Sequence, residues 1–275
     1  MLALTAAARR EVRARWRRRG HGERRVASYL NTDVAVLTIM VKKTVLKKTA
    51  TKSAKKLIRS TLAIVEPLAS WLSPQYQSPS ALVKNAKAYR CAKPFPHIAL
   101  PNFLAPARAA VLRNALVALH KRGGFTHKES DLFSLAQSHD FRNEKTGPIA
   151  QLAQFFKSEE WNTYLAALSG VKLSGKELDI GGSLYTDTDY LLCHDDQVTG
   201  RKIAFIFYLC EDFAVTDGGA LVLLDSNGKQ PGKIVKRYAP KFNTLAMFTV
   251  SAKSWHAVEE VLTKKQRFSI NGWFH

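Results

Sequence analysis

The feature that most limits how this chain can fold is the punctuation of its C-terminal part. From about Leu173 onward, short segments rich in β-branched and aromatic residues follow one another: "LDIGGSLYTDTDYLLCHDD", "RKIAFIFYL", "GGALVLLD", "KIVKRYAP", "TLAMFTV", "SWHAVEEV" and "QRFSINGWFH". Turn clusters such as "TDGG" and "DSNGKQPG" separate them, the pattern of antiparallel strands joined by tight connections. Helical signals come earlier. In "PNFLAPARAAVLRNALVAL" the apolar residues Ala110, Val111, Leu112, Leu116 and Leu119 recur at helical spacing. The stretch "GPIAQLAQFFKSEEWNTYLAALSG" (147–170) has proline near its start and glycine at its end, as helix termini prefer. "HIAL", entered through Pro94 and Pro96, reads as one further strand. Helices first and a run of strands after them predict an α+β domain whose sheets form a sandwich or barrel.

The chain has 275 residues, enough for one large domain or two small ones. Its net charge of +20 is concentrated at one end: residues 1–59 carry 17 Lys and Arg against 3 Asp and Glu. Two units are expected: a basic N-terminal extension over 1–90 and a folded domain over 91–275. The stretches 1–25 and 42–59 suit a solvated, poorly ordered arm, an organelle transit peptide, a nuclear address, or a surface that binds RNA or a membrane. Residues 60–90 read as a short helix followed by a Ser/Pro/Gln linker. Cys91, Cys193 and Cys210 lack zinc-like or redox spacing and suggest a reduced intracellular protein. The apolar patch "VAVLTIMV" (34–41) falls well short of the roughly 18 residues that span a bilayer.

Within the strand-rich part, "LLCHDD" places polar side chains where a strand favours apolar ones. Residues two apart on a strand share a face, so His194 and Asp196 can aim together into a barrel while Asp195 points away. His256 lies on another expected strand. Two histidines and one carboxylate form the facial triad of non-haem iron(II) oxygenases, which leaves three coordination positions open. A keto acid such as 2-oxoglutarate fills two and dioxygen the third. The far carboxylate of that co-substrate then needs a fixed cation, and Arg267, with Ser269 and Asn271 on its face, offers one. Zinc on the same three ligands is chemically open but gives Arg267 no task. The bland reading is a satisfied polar cluster in which Arg267 pairs with Glu259 or Glu260. His97, His120, His127, His139 and His275 are assigned to no metal.

"PFPHIALPNFL" (94–104), "SLYTDTDYLLCHDDQVTGRKIAFIFYL" (183–209), "DGGALVLL" (217–224) and "SWHAVEEVLTKKQRFSINGWFH" (254–275) resemble the catalytic domain of the eukaryotic ribosomal-protein prolyl hydroxylases, over roughly residues 92–275. The resemblance implies a double-stranded β-helix, or distorted jelly roll, with supporting helices. It implies Fe(II), 2-oxoglutarate and dioxygen as cofactors, with ascorbate as an accessory, and a proline of the small-subunit ribosomal protein at the decoding centre as substrate. Residue by residue, His194, Asp196 and His256 match the iron ligands and Arg267 the co-substrate clamp. Tyr208 matches a tyrosine that bonds the same distal carboxylate, and Tyr185 one that lines the pocket. Ser269 follows from strand geometry together with the family pattern. Family members usually continue into a second, non-catalytic β-helix domain, whereas this sequence stops at His275, so substrate is expected to be recognised differently or with a partner.

Two other readings stand beside this one. A nucleic-acid demethylase of the same superfamily is disfavoured because no second arginine follows Arg267. A metal-free barrel could instead dock to ribosomal RNA or nucleolar partners through the basic arm. The resemblance favours nucleus and cytoplasm, while residues 1–59 leave organelle targeting open.

Overall fold

The computed structural model describes residues 68–275, apart from 176 and 228. The basic stretches 1–25 and 42–59 and the apolar patch 34–41 lie outside the described residues. Among the described residues no helix is long and apolar enough to cross a membrane.

Packing begins ahead of the boundary expected at residue 90: Leu68, Leu72, Tyr76 and Tyr89 are all buried in the main core. The expected linker instead holds helix α1 (Pro79–Cys91). Ser78 Oγ accepts the Ala81 N–H at 3.1 Å, and Pro79 takes the first helical position, where a missing N–H loses nothing. Serine and proline act here as cap residues, which composition alone does not distinguish from a linker.

Helix α2 (Pro106–Lys121) forms as expected, but its buried face is Ala109, Leu112 and Leu116. Ala110 and Val111 are exposed, so the apolar stripe starts one residue earlier than the hydrophobic run suggested. The single helix expected over 147–170 is two: α3 (Gly147–Lys157) and α4 (Glu159–Ser169). Ser158 breaks them apart with extended backbone (ψ 151°) and caps α4 by accepting the Trp161 N–H at 3.2 Å. Glu159 and Glu160 then sit in the first turn, where negative charge is favoured. Gly170, at φ +78°, supplies the left-handed stop.

Strands β1 (His97–Leu100), β4 (Leu178–Tyr185), β5 (Tyr190–His194), β6 (Ile203–Tyr208), β7 (Leu221–Ser226), β8 (Pro231–Tyr238), β9 (Thr244–Thr249), β10 (His256–Val258) and β11 (Arg267–Phe274) fall on the segments read as strands. The hairpin β2 (Phe125–Glu129) and β3 (Phe133–Asp140) was not anticipated. Its sequences, "FTHKE" and "FSLAQSHD", are poor in strand-favouring residues, and tertiary pairing decides their conformation.

The hydrogen-bonded order is β1-β9-β6-β11-β4-β3-β5-β10-β7-β8, with β2 on β3. β3 therefore joins two halves, β1-β9-β6-β11-β4 and β5-β10-β7-β8, which face each other as a double-stranded β-helix. Period-two alternation sorts the side chains. Phe205, Phe207, Ile270 and Phe274 point outward and pack with Phe103, Phe156 and Trp161 against the helices. Each such fully buried ring contributes on the order of 2–3 kcal/mol, which clamps the first half as a rigid plate. Tyr185, Tyr208, Ala246 and Phe248 point inward and meet Leu221, Leu223 and Val258 of the opposite half.

Candidate metal centre and its cavity

His194 and His256 are register partners across β5 and β10. The next pair is Val258 with Leu191, two residues along one strand and three along the other, so β5 carries one extra residue. That bulge lets both His194 and Leu191 line the same cavity although three positions separate them.

Asp196 joins the two histidines, but not by strand alternation. β5 ends at His194, and Asp196 has a left-handed backbone with φ +61°. Aspartate tolerates that region better than most side chains. The turn brings Oδ1 to 3.3 Å from His194 Nε2 and Oδ2 to 3.4 Å from His256 Nε2. Asp195 is directed elsewhere: its Oδ1 accepts the Gln197 N–H at 3.1 Å, and its carbonyl accepts the Ser254 hydroxyl at 2.9 Å.

His194 Nδ1 lies 2.8 Å from the Leu192 carbonyl, and His256 Nδ1 lies 2.8 Å from the Ser254 carbonyl. A carbonyl only accepts, so Nδ1 carries the proton in both rings and Nε2 is the atom presented to the cavity. The three side chains each offer a ligand atom, all within 4.8 Å of one another. They are the one such group among the described residues; His97, His120, His127, His139 and His275 take no part.

Electrostatics separate the two histidines. Burial lowers His256 to about 4, and His194 beside it acts in the same direction. Burial also opposes charge on His194 and Asp196, but the hydrogen bond between them prevails. His194 is raised, and Asp196 is held down to about 2.

Arg267 belongs to the same cavity, a space of about 270 Å³ whose lining includes His194, Asp196, His256, Tyr185, Ser269 and Asn271. It is 1% exposed. Its Nε donates to the Gly219 carbonyl at 2.8 Å and an Nη lies 3.5 Å from the Tyr208 hydroxyl. The guanidinium sits over the rings of Tyr185 and Tyr208, 4.6 and 5.0 Å from their centroids. Among the described residues no ion pair involves Arg267; Glu259, one partner weighed for it, pairs with Arg237 at 3.0 Å. Burying a cation without a counter-charge is costly. An anionic ligand in the cavity would remove that cost.

Six of the seven expected residues therefore line one space, and Tyr208 lies next to it. Tyr185 is the register partner of Arg267, and Ser269 that of Tyr208, which stands behind the guanidinium rather than on the cavity wall. Burial raises both phenols, Tyr185 to about 12, so each hydroxyl keeps its proton. A larger groove of about 480 Å³ crosses the opposite face of β5 and β10, yet it contains neither the triad nor Arg267.

Two contributors escaped the sequence reading. Trp273 donates its indole N–H to Asp196 Oδ2 at 2.9 Å. Gly219 accepts from Arg267 at φ +66°, and a Cβ there would lie 3.2 Å from Arg267 Cδ. Asn271, which the sequence placed on the face of Arg267, lines the cavity with a buried Oδ1 that has no hydrogen-bond partner among the described residues. "GWFH" and "DGGAL" were conspicuous as motifs, but nothing in them revealed these contacts. A buried cation with no ion pair among the described residues and three inward Nε2 and carboxylate donors fit Fe(II) with a dicarboxylate keto acid. Zinc would use the triad and leave Arg267 uncompensated.

A double-stranded β-helix is the fold of the 2OG-Fe(II) oxygenases, a class that uses Fe(II), 2-oxoglutarate and dioxygen, and the triad offers a possible iron site of that kind. Residues 180–275 match the family model described as the 2OG-Fe(II) oxygenase superfamily. More particularly, the chain is 40% identical over 186 residues to a Xenopus laevis protein named prolyl 3-hydroxylase OGFOD1, covering 66% of this chain and 35% of that protein. It is 38% identical over 201 residues to the Mus musculus protein of the same name, covering 69% and 36%. The chain thus spans about a third of the length of these curated relatives. Among solved structures, a Pseudomonas putida prolyl-4-hydroxylase matches with a TM-score of 0.55 at 16% identity, covering 70% of this chain and 98% of that one. Likeness at that identity speaks for the fold alone.

Proposed function

We propose that this chain is a 2-oxoglutarate- and Fe(II)-dependent prolyl hydroxylase whose substrate is a proline of the small-subunit ribosomal protein at the decoding centre. One observation carries the reaction class: a His-Asp-His triad and a buried arginine, without a carboxylate partner among the described residues, line one cavity. The proline specificity is supported by the relatives named prolyl 3-hydroxylase. The ribosomal target is supported by the motif resemblance.

In this reading His194, Asp196 and His256 hold the iron, presenting two Nε2 atoms and a carboxylate oxygen. When bound, Fe(II) with 2-oxoglutarate and dioxygen supplies an oxidant strong enough to hydroxylate a C–H bond, with succinate and carbon dioxide as co-products. Arg267 and Tyr208 anchor the distal carboxylate of 2-oxoglutarate, and Ser269 adds a hydroxyl donor. Tyr185 lies under the guanidinium and walls off water. Leu191, Phe248 and Val258 line the rest of the cavity and keep it dry. The Leu192 and Ser254 carbonyls fix the two imidazole orientations. No protein residue acts as general acid, general base or nucleophile; ascorbate is an accessory that keeps iron reduced.

The basic residues 1–59 suit contact with ribosomal RNA, and a nuclear and cytoplasmic location goes with such a substrate. The test is mass spectrometry of ribosomal proteins incubated with the purified chain, Fe(II) and 2-oxoglutarate. A gain of one oxygen on a proline supports the proposal. Succinate release without any modified ribosomal proline removes the ribosomal target while keeping the reaction class.

A further inference from the structure

We propose that Trp273, braced by Arg201, is a positioning residue that fixes the rotation of the Asp196 carboxylate and commits it to a single-oxygen grip on the metal. This inference rests on the iron-site reading above. A free carboxylate can offer a metal one oxygen or both. Here Oδ2 already accepts the Trp273 indole N–H at 2.9 Å, which takes one of its two lone-pair directions and leaves Oδ1 the freer oxygen for a metal bond. Asp196 needs such a hold, because it sits beyond the end of β5 on a left-handed corner, with no strand ladder to fix its side chain.

Trp273 is well placed to provide it. It belongs to β11, which is hydrogen-bonded on both sides, to β4 and to β6, and its register partners are Asp179 and Ala204. The inward face of that strand carries Arg267, Ser269, Asn271 and Trp273 in succession. One rigid strand therefore holds both the anion clamp and the brace of the carboxylate ligand.

Arg201 completes the device. Its guanidinium carbon lies 3.4 Å from the centroid of the Trp273 ring, and its Nε is 3.7 Å from Asp179 Oδ2. A cation over the indole face draws electron density from the ring and makes its N–H a stronger donor. Asp179 also receives Arg142 and His275, so the brace is tied into an ionic cluster rather than left on a loose side chain.

The test is titration of the full-length, metal-free protein with cobalt(II), read by calorimetry and by its ligand-field absorption. Trp273→Phe keeps the ring and deletes the donor. Its cobalt affinity should fall 10- to 100-fold with an altered absorption spectrum, the usual consequence of losing an outer partner of a metal ligand. Wild-type affinity and spectrum in that variant overturn the assignment, even if its melting temperature falls, since a merely structural role moves only the latter. A His194→Ala arm separates the two levels. If wild type binds cobalt no better than His194→Ala, the metal-site reading fails and takes this inference with it. If only the Trp273→Phe effect is missing, this inference alone fails. Should Trp273→Phe not fold, Arg201→Gln carries the test: several-fold weaker cobalt binding is expected, and unchanged binding overturns the proposal.

Discussion

His194 and His256 face each other across the β5–β10 ladder with ring centroids 4.2 Å apart, although 62 positions separate them in the chain. Antiparallel pairing fixes that separation before any metal arrives, and the carbonyls behind each ring fix its tautomer. The site is therefore pre-organised by the backbone, and its ligands can be removed without unravelling the fold.

Replacing His194 or Asp196 by alanine should abolish iron-dependent conversion of 2-oxoglutarate to succinate. The circular dichroism spectrum should stay that of wild type, because neither residue belongs to the hydrophobic core clusters. Full succinate production in either variant refutes the ligand assignment.

Arg267→Gln should remove the counter-charge for the co-substrate. Truncating one partner of a buried charge pair costs about 2–5 kcal/mol, or about thirtyfold or more in affinity. Saturation of wild type with 2-oxoglutarate at about 100 times its Kd should stabilise the metal-loaded protein by ~2.7 kcal/mol. The same concentration should stabilise Arg267→Gln by ~0.9 kcal/mol or less, so its melting temperature should rise by about a third of the wild-type shift at most in a thermal-shift assay. An equal shift in both proteins would sink the clamp assignment.

Metal affinity should rise with pH around neutrality, and His194 should set the slope. Ligation needs neutral imidazoles. Burial keeps His256 neutral down to about pH 4, and Asp196 remains ionised down to about pH 2, so neither limits binding near neutrality. His194 is raised by its bond to Asp196, and the metal must displace its proton. Affinity is therefore fully expressed above the His194 value and falls about tenfold per unit below it. Calorimetry in buffers of different ionisation enthalpy should find close to one proton released per cobalt bound on the acid side. Release of two would contradict the neutral state of His256.

Ser158→Ala should destabilise the protein by about 1 kcal/mol, the usual cost of a lost N-cap, without altering cobalt or 2-oxoglutarate affinity. Chemical denaturation and titration of the same sample check both halves.

Gly219→Ala should weaken 2-oxoglutarate binding. Its φ of +66° strains any side chain, and the added Cβ would press on Arg267 Cδ and Val261 Cγ2, each 3.2 Å away. A variant with unchanged co-substrate affinity would show that the guanidinium tolerates displacement.

The strand series of the β-helix was legible because each strand is bounded by turn residues and rich in β-branched and aromatic side chains. So was the pairing of His194, Asp196 and His256 with Arg267, because four sparse residue types in that order have little other use together. The hairpin β2–β3 was not legible, since "FTHKE" owes its conformation to pairing and not to preference. Ser158 hid a helix break inside a continuous apolar pattern, although the serine followed by two glutamates is a start signal in its own right. Alternation along an extended strand put Asp196 beside His194, where the structure also has it, but the actual route is a bulge followed by a left-handed turn, which no period of two encodes. Trp273 went unassigned because an aromatic on a strand reads as packing until its hydrogen bond is seen.

The corner at Asp196 has a consequence for substitution. Its backbone lies where only glycine, asparagine and aspartate sit without much strain, so a glutamate would keep the negative charge and lose the bend that delivers it. Asparagine would keep the bend and lose the charge. Aspartate alone satisfies both demands, which makes this position intolerant of replacement for conformational as well as chemical reasons.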